Sequence, residues 1–130
     1  MTRHRDAFDA DSNVAAALTF PKDAHDTLEI SPKDFERDTA INLLGVYTSL
    51  RETVRGFKNL ANDGLPTVFI TTGNVLPWQP SGPGITLGAG KAGVVNLLQS
   101  VLMAYSATKY RYEGRCNFGH CGRETNCWRI

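Results

Sequence analysis

Lys91 is the residue of this chain whose place most invites a chemical reading. It lies near the start of an apolar helix, after a loop rich in proline and glycine that follows the hydroxyl pair Thr71-Thr72. A cation at that end opposes the helix dipole, a small local cost that favours a functional reason. Its surroundings, Gly88-Ala89-Gly90-Lys91-Ala92-Gly93, match G-x-G-x-x-G literally, and Glu113 stands twenty residues after Gly93. That pattern, opening a helix, is the fingerprint of a dinucleotide-binding turn with a ribose-binding acid. The segment before it, Gly84-Ile85-Thr86-Leu87, offers only two strongly apolar residues, too few for the central strand the motif requires. A P-loop fits less well, because Ala92 follows Gly90-Lys91 where serine or threonine is needed and Ile85 occupies the first glycine's place. Near the end, Cys116, His120, Cys121 and Cys127 present four zinc-type ligands. Their spacing matches no paired C-x-x-C or H-x-x-x-H arrangement, so no metal site is assigned.

These residues need elements to position them. Pro66-Thr67-Val68-Phe69-Ile70-Thr71-Thr72-Gly73 contains a continuous apolar run too short for a helix, the pattern of a central parallel strand buried on both faces. Ser31-Pro32-Lys33-Asp34 is a helix start: a hydroxyl cap, proline at the first position and a carboxylate near the positive end of the dipole. From there Ala40, Leu43, Leu44, Tyr47, Leu50, Val54, Phe57 and Leu60 recur at three- and four-residue spacing, which predicts one long helix over about 32–60 with that face on the core. Turn residues and Pro66 end it. After the loop through Gly84, a second helix is expected from near Leu87 to Tyr105, apolar on more than one side. A short apolar run from Asn13 to Phe20 suits the end of a buried strand, and another strand begins around Tyr110-Arg111-Tyr112. Strand and helix alternate, as in a parallel α/β sheet. The expectation is a partial doubly wound, Rossmann-like sheet of about three strands with two long helices. A complete domain of that kind needs about six strands.

Composition bounds the rest. With 130 residues there is at most one domain, and 42% hydrophobic with 21% charged residues is the balance of a globular chain. A net charge of +1 gives no strong pull toward nucleic acid or an anionic membrane. No apolar run reads as approaching the roughly 20 residues that cross a bilayer, and the charged start lacks a signal core. Three cysteines crowded at the end make no disulfide framework, and a cytoplasmic location is the default. Residues 1–12 read as a disordered leader, 13–114 as the folded part, and 115–130 as an irregular cysteine-containing tail.

In order and spacing, the region from Asn13 to Gly114 resembles the catalytic half of a short-chain dehydrogenase/reductase. Asn13-Val14-Ala15-Ala16 is similar to the Asn-Asn-Ala-Gly segment that ends that family's fourth strand and supports the cofactor pocket. Asn42, in Ile41-Asn42-Leu43-Leu44-Gly45, matches the helix asparagine that holds a proton-relay water. Thr71-Thr72 stands where paired serines close the fifth strand, and Lys91 matches the lysine of Tyr-x-x-x-Lys. The resemblance implies Asn42, Thr72 and Lys91 as the catalytic set and Asn13 and Lys91 on an NAD(P) cofactor. The implied reaction is hydride transfer with a small-molecule carbonyl or alcohol. The tyrosine position holds Leu87, and nothing before Asn13 resembles the family's glycine-rich cofactor turn. The expected product is therefore a truncated member with impaired or absent activity. The second reading is a non-catalytic remnant serving as an interaction module, since the two long helices commonly form dimer faces in that family. With so few strands, edges and apolar faces are left uncovered, and oligomerisation, aggregation or marginal folding is expected.

Overall fold

In the computed structural model the described residues are 9–13, 15–60, 67–105 and 111–116. Strand β2, Thr67–Gly73, lies between β1, Asp9–Asn13, and β3, Arg111–Cys116, and pairs parallel with both. Asn13 is in register with Thr71, and Thr72 with Arg115. Parallel neighbours require crossover connections, and the helices supply them. Helix α1, Pro32–Thr39, runs through a π-helical turn, Ala40–Leu44, into α2, Gly45–Leu60, between the first two strands. Helix α3, Ile85–Ala104, lies between β2 and β3. The expected parallel α/β sheet of three strands and two long helical segments is what forms.

The start of α1 follows its sequence signal. The Asp34 N–H donates to Ser31 Oγ at 3.1 Å, and that hydroxyl donates back to the Asp34 carboxylate at 2.7 Å, with Pro32 at the first position. Farther along, the expected inward face is corrected. Val46, Leu50, Val54 and Phe57 are the buried apolar positions of α2, whereas Leu44 is 57% and Tyr47 47% exposed. The cause is the π turn, which inserts about one extra residue into the helical repeat. Residues beyond it are therefore displaced round the helix by roughly 100°, and Val46, where an uninterrupted helix would place Gly45, continues the buried line of Asp38 and Asn42.

Phe69 of β2 is completely buried and joins Val46, Leu50, Val54, Phe57 and Val94 in one cluster, flanked by Leu97, Leu98 and Val101 of α3. Thr67, Phe69 and Thr71 share one face of the strand, and all are buried. This places α2 and α3 together on that face. Both helices thus brace the strand that ends at the Thr71-Thr72 pair.

Two further expectations are corrected. Strand β1 takes in Asp9 to Ser12, which had been assigned to the leader, so the sheet begins inside that stretch, while the apolar run from Ala15 to Phe20 has no regular structure. Pairing with β2 overrides a local composition poor in strand formers. Residues 82–104 form a stretch of 23 residues long and apolar enough to cross a membrane by length and composition. Here Thr86, Gly90, Lys91 and Val94 of that stretch are buried against the rest of the fold, while most of its other residues are at least partly exposed.

Candidate functional site

The carboxyl edge of β2 is where the chemistry gathers, as in open α/β sheets generally. Lys91, in the second turn of α3, is only 4% exposed. Its Nζ donates to the carbonyl oxygen of Thr72 at 2.8 Å and approaches the Thr72 hydroxyl at 3.4 Å. Burial pushes the amine below the ordinary lysine range. An ammonium has three N–H donors, and those two contacts to Thr72 are the ones made among the described residues. At least one donor remains for a ligand. The family resemblance had implied that Lys91 and Thr72 share a site.

Asn42 is fully buried in the π turn, and its carboxamide is committed to the backbone. Oδ1 accepts from the Ala17 N–H at 2.8 Å, and Nδ2 donates to the Ala17 carbonyl at 2.7 Å. The side chain acts as a two-point staple on the segment that leaves β1. Asn13 is the last residue of that strand. Facing Asn42 is Gly90, where an added Cβ would lie 2.5 Å from the Asn42 Cβ, and at Gly93 it would meet Leu43 at 2.9 Å. Gly90 and Gly93 of the G-x-G-x-x-G match are therefore packing residues, whereas a Cβ at Gly88 would make only ordinary contact with Leu76 at 3.6 Å; all three glycines share one helix. They lie within α3 and not at a strand-to-helix turn, where free N–H groups could receive a phosphate. No other glycine-rich turn of that kind occurs among the described residues. Gly90→Ala is expected to cost about 1–3 kcal/mol through overpacking, even though alanine by itself favours a helix by about 1 kcal/mol. Thermal denaturation measures this, and an unchanged or raised Tm would mean that the two helices do not meet at Asn42.

A second polar group, missed in the sequence, surrounds Asp38. Its side chain is 0% exposed, and Oδ1 accepts from Arg37 Nε at 3.2 Å and Nη2 at 2.9 Å. Arg37 Nη2 also donates to the Thr19 hydroxyl at 2.6 Å, and the Thr19 N–H donates to Thr86 Oγ1 at 3.3 Å. Burial would raise the Asp38 carboxyl, but the hydroxyls of Thr19 and Thr86 and the Arg37 guanidinium hold it below the usual carboxylate value. The available signal was the four-residue step from Asp38 to Asn42, which puts two polar residues on one helix face.

Leu87, half-buried one residue after Thr86, brings no ionisable group. Among the described residues, no group of three or more His, Cys, Asp or Glu side chains is placed to hold a metal. Glu113 is in β3, Cys116 ends that strand, and His120, Cys121 and Cys127 lie outside the described residues. Two surface hollows lie elsewhere, on the outer face of α2 and α3.

The fold recurs among known proteins. No family model matches the chain. The short chain dehydrogenase/reductase dmxR12 of Cryptosporiopsis sp. (strain 8999) is 29% identical over 103 residues, which are 79% of this chain and 41% of that protein. Among solved structures, the 3-ketoacyl-(acyl-carrier-protein) reductase from Brucella melitensis, complexed with NADH, superposes with a TM-score of 0.72 at 23% identity, covering 82% of this chain and 43% of that one. The alcohol dehydrogenase of the archaeon Thermococcus sibiricus, complexed with 5-hydroxy-NADP, gives 0.66 at 18% identity, covering 82% and 40%. The chain thus spans about two fifths of the length of the relatives it matches.

Proposed function

We propose that this chain, similar in sequence and fold to short-chain dehydrogenases/reductases, is a member of that family and serves hydride transfer between NAD(P) and a small carbonyl or alcohol, with turnover impaired at the proton-donating step. The observation that carries the reading is the buried Lys91 amine at the strand edge, bonded to Thr72 and facing no carboxylate partner among the described residues. Buried titratable groups with displaced pKa values gather at functional sites. When bound, the nicotinamide supplies the hydride chemistry. The remaining Lys91 N–H suits a ribose hydroxyl, and the Thr72 hydroxyl suits a substrate oxygen. Asn42 serves through Ala17: with its carboxamide spent on the backbone, it holds the segment after β1 in place. Asn13 closes β1 beside Thr71 at the same sheet edge.

Proton transfer by a positioned acid contributes about 10²–10⁴-fold to rate. Leu87 stands in that acid's position, so turnover is expected to fall short of a tyrosine-bearing enzyme by a factor of that order. NAD(P)H titration followed by fluorescence tests the binding reading. Micromolar to low-millimolar binding, lost in Lys91→Met, supports it; no quenching and no thermal shift at millimolar nucleotide overturns it. The same variant carries a second expected result. Removing a buried, unpaired ammonium should stabilise the unliganded chain. The folded pKa of Lys91 lies below its unfolded value, so the cost of burying its charge is present at neutral pH and disappears as pH rises through the folded pKa. Wild-type stability should therefore climb in the alkaline range below pH about 10.4, where the unfolded amine still holds its proton, and Lys91→Met should remove that climb.

A second reading, as an interaction module, is favoured by the outer face of the helices. A groove of about 740 Å³ lined by Leu43, Leu44 and Leu97 carries Glu36 at one end, while the adjoining cleft carries Arg51, Arg55 and Lys58, and Tyr47 lines both. Two copies packed antiparallel about Tyr47 would set acid against base. Sedimentation separates the readings: a dimer dispersed by Tyr47→Asp, without nucleotide binding, favours the module.

A further inference from the structure

The amino end of α3 has no side-chain cap: Gly84 precedes it, and no side chain bonds its first N–H groups. Such an end ordinarily leaves the first turn free to fray. Here the second residue, Thr86, is fully buried instead and anchored from the side. Its Oγ1 accepts the Thr19 N–H, so its own hydrogen is free to donate. The Thr19 hydroxyl accepts from Arg37 Nη2, which leaves its hydrogen free as well. Beside them Asp38 Oδ2 is a buried acceptor without a hydrogen-bond partner among the described residues. Arg37 ties the Asp38 carboxylate to the Thr19 hydroxyl, the Thr19 N–H reaches Thr86, and both hydroxyls lower the Asp38 pKa. A hydroxyl rotor needs only to turn for the bond to close.

The contacts form a ladder between helices. Asp38 is joined to Thr86 through Arg37 and Thr19, and one turn farther along each helix Asn42 faces Gly90. Lys91 is the next residue after that second rung, directed at Thr72. We propose that Asp38 is a positioning residue for Lys91: by holding Thr86 and Thr19 it fixes the first turn of α3 and the segment after β1, and so sets where the Lys91 amine lies. The proposal rests on the reading of Lys91 as the ligand-facing amine. It adds a residue that acts through Thr86 and touches neither substrate nor cofactor. A fully connected buried network confers rigidity, and losing one member frees the rest.

Brief acetylation of the folded chain without nucleotide, read by peptide mass spectrometry, tests this. The exposed Lys33 serves as internal reference. In the wild type, Lys91 should label at least about 10-fold more slowly than Lys33, because its amine reacts only on local opening. Asp38→Asn and Thr86→Val should each raise the Lys91-to-Lys33 ratio by about 5-fold or more, while Thr86→Ser, which keeps the hydroxyl, should retain the wild-type ratio. Val54→Ala weakens the core away from the network and should leave the ratio within about 2-fold well below its melting temperature. An unchanged ratio in folded Thr86→Val, or an equal rise in Val54→Ala, overturns the proposal. Should Asp38→Asn fail to fold, Thr86→Val with its serine counterpart decides alone. Because no nucleotide enters the reaction, the predicted labelling pattern in a chain that binds no NAD(P)H would overturn the proposed function and leave the role of Asp38 standing.

Discussion

Phe69→Ala is expected to destabilise the chain by about 3–5 kcal/mol, the usual loss for truncating a fully buried aromatic. Phe69 is completely buried at the middle of β2 and touches the side chains by which both α2 and α3 cover the sheet. Its removal would leave a cavity that neither helix can fill without giving up contact with the other. A domain's whole stability is about 5–15 kcal/mol, so this one change should bring the chain close to unfolding at ambient temperature. Urea denaturation followed by circular dichroism measures the effect. Phe20→Ala is the matched control: Phe20 is 67% exposed and should change stability by no more than about 0.5 kcal/mol. A loss below about 1 kcal/mol for Phe69→Ala would show that β2 is not the strand on which the two helices converge. The same variant should loosen Lys91, since the strand that carries Thr72 is braced from the Phe69 face.

The contrast between those two phenylalanines shows what the chain reveals by inspection. Phe69 is flanked by Val68 and Ile70 in a run too short for a helix, and hydrophobicity alone places it inside. Ser31 and Pro32 announce the start of α1 because capping is a local matter of one hydroxyl and one ring. The π turn at Ala40–Leu44 gives no comparable warning. Asn42 within it and Gly45 directly after it are residues that an ordinary helix also accommodates, and only the contact of Asn42 with Ala17 and Gly90 shows why the turn widens there. For this reason Leu44 and Tyr47 were expected inside and Val46 was not. Strand β1 was hidden for the opposite reason: Asp9-Ala10-Asp11-Ser12-Asn13 has the composition of a loop, and its structure comes from pairing with a distant strand.

The candidate site divides along the same line. Lys91 and Thr72 were legible because their order relative to strand and helix matters more than exact distances, and the resemblance to a known family supplied their roles. Asp38 and Thr86 were not, since an aspartate in the first turns of a helix normally reads as a solvated, dipole-favoured charge. Its burial depends on the segment from Ala17 to Thr19 folding over it, and no local pattern near Asp38 encodes that contact. The literal G-x-G-x-x-G match fails in an instructive way. Glycines that would suit a phosphate turn suit a close helix crossing equally well, and position relative to the helix start decides between the two.

Asn42→Asp should make stability strongly dependent on pH, in a direction that isolates the staple on Ala17. Asparagine meets both backbone groups because it carries one donor and one acceptor. A protonated aspartic acid has the same pair of functions in nearly the same shape, whereas an ionised one offers only acceptors and sets a charge against the Ala17 carbonyl. Burial and that repulsion both raise the folded pKa above the unfolded value of about 3.9. The sign then follows: stability is fully present below the unfolded pKa, declines as pH rises through the folded pKa, and reaches its floor above it. At neutral pH the expected loss is about 3–5 kcal/mol, the range for a buried charge left without a partner, and at pH 4 most of it should return. Wild-type Asp38, whose folded pKa is lowered, contributes in the opposite sense, its stabilisation being lost as acid protonates the folded carboxylate. The difference between variant and wild type across a pH series of denaturation curves therefore separates the two groups. A variant that is equally destabilised at pH 4 and pH 8 would mean that the carboxamide does not bridge to Ala17 as a donor, and the π turn would then lack the contact that accounts for it.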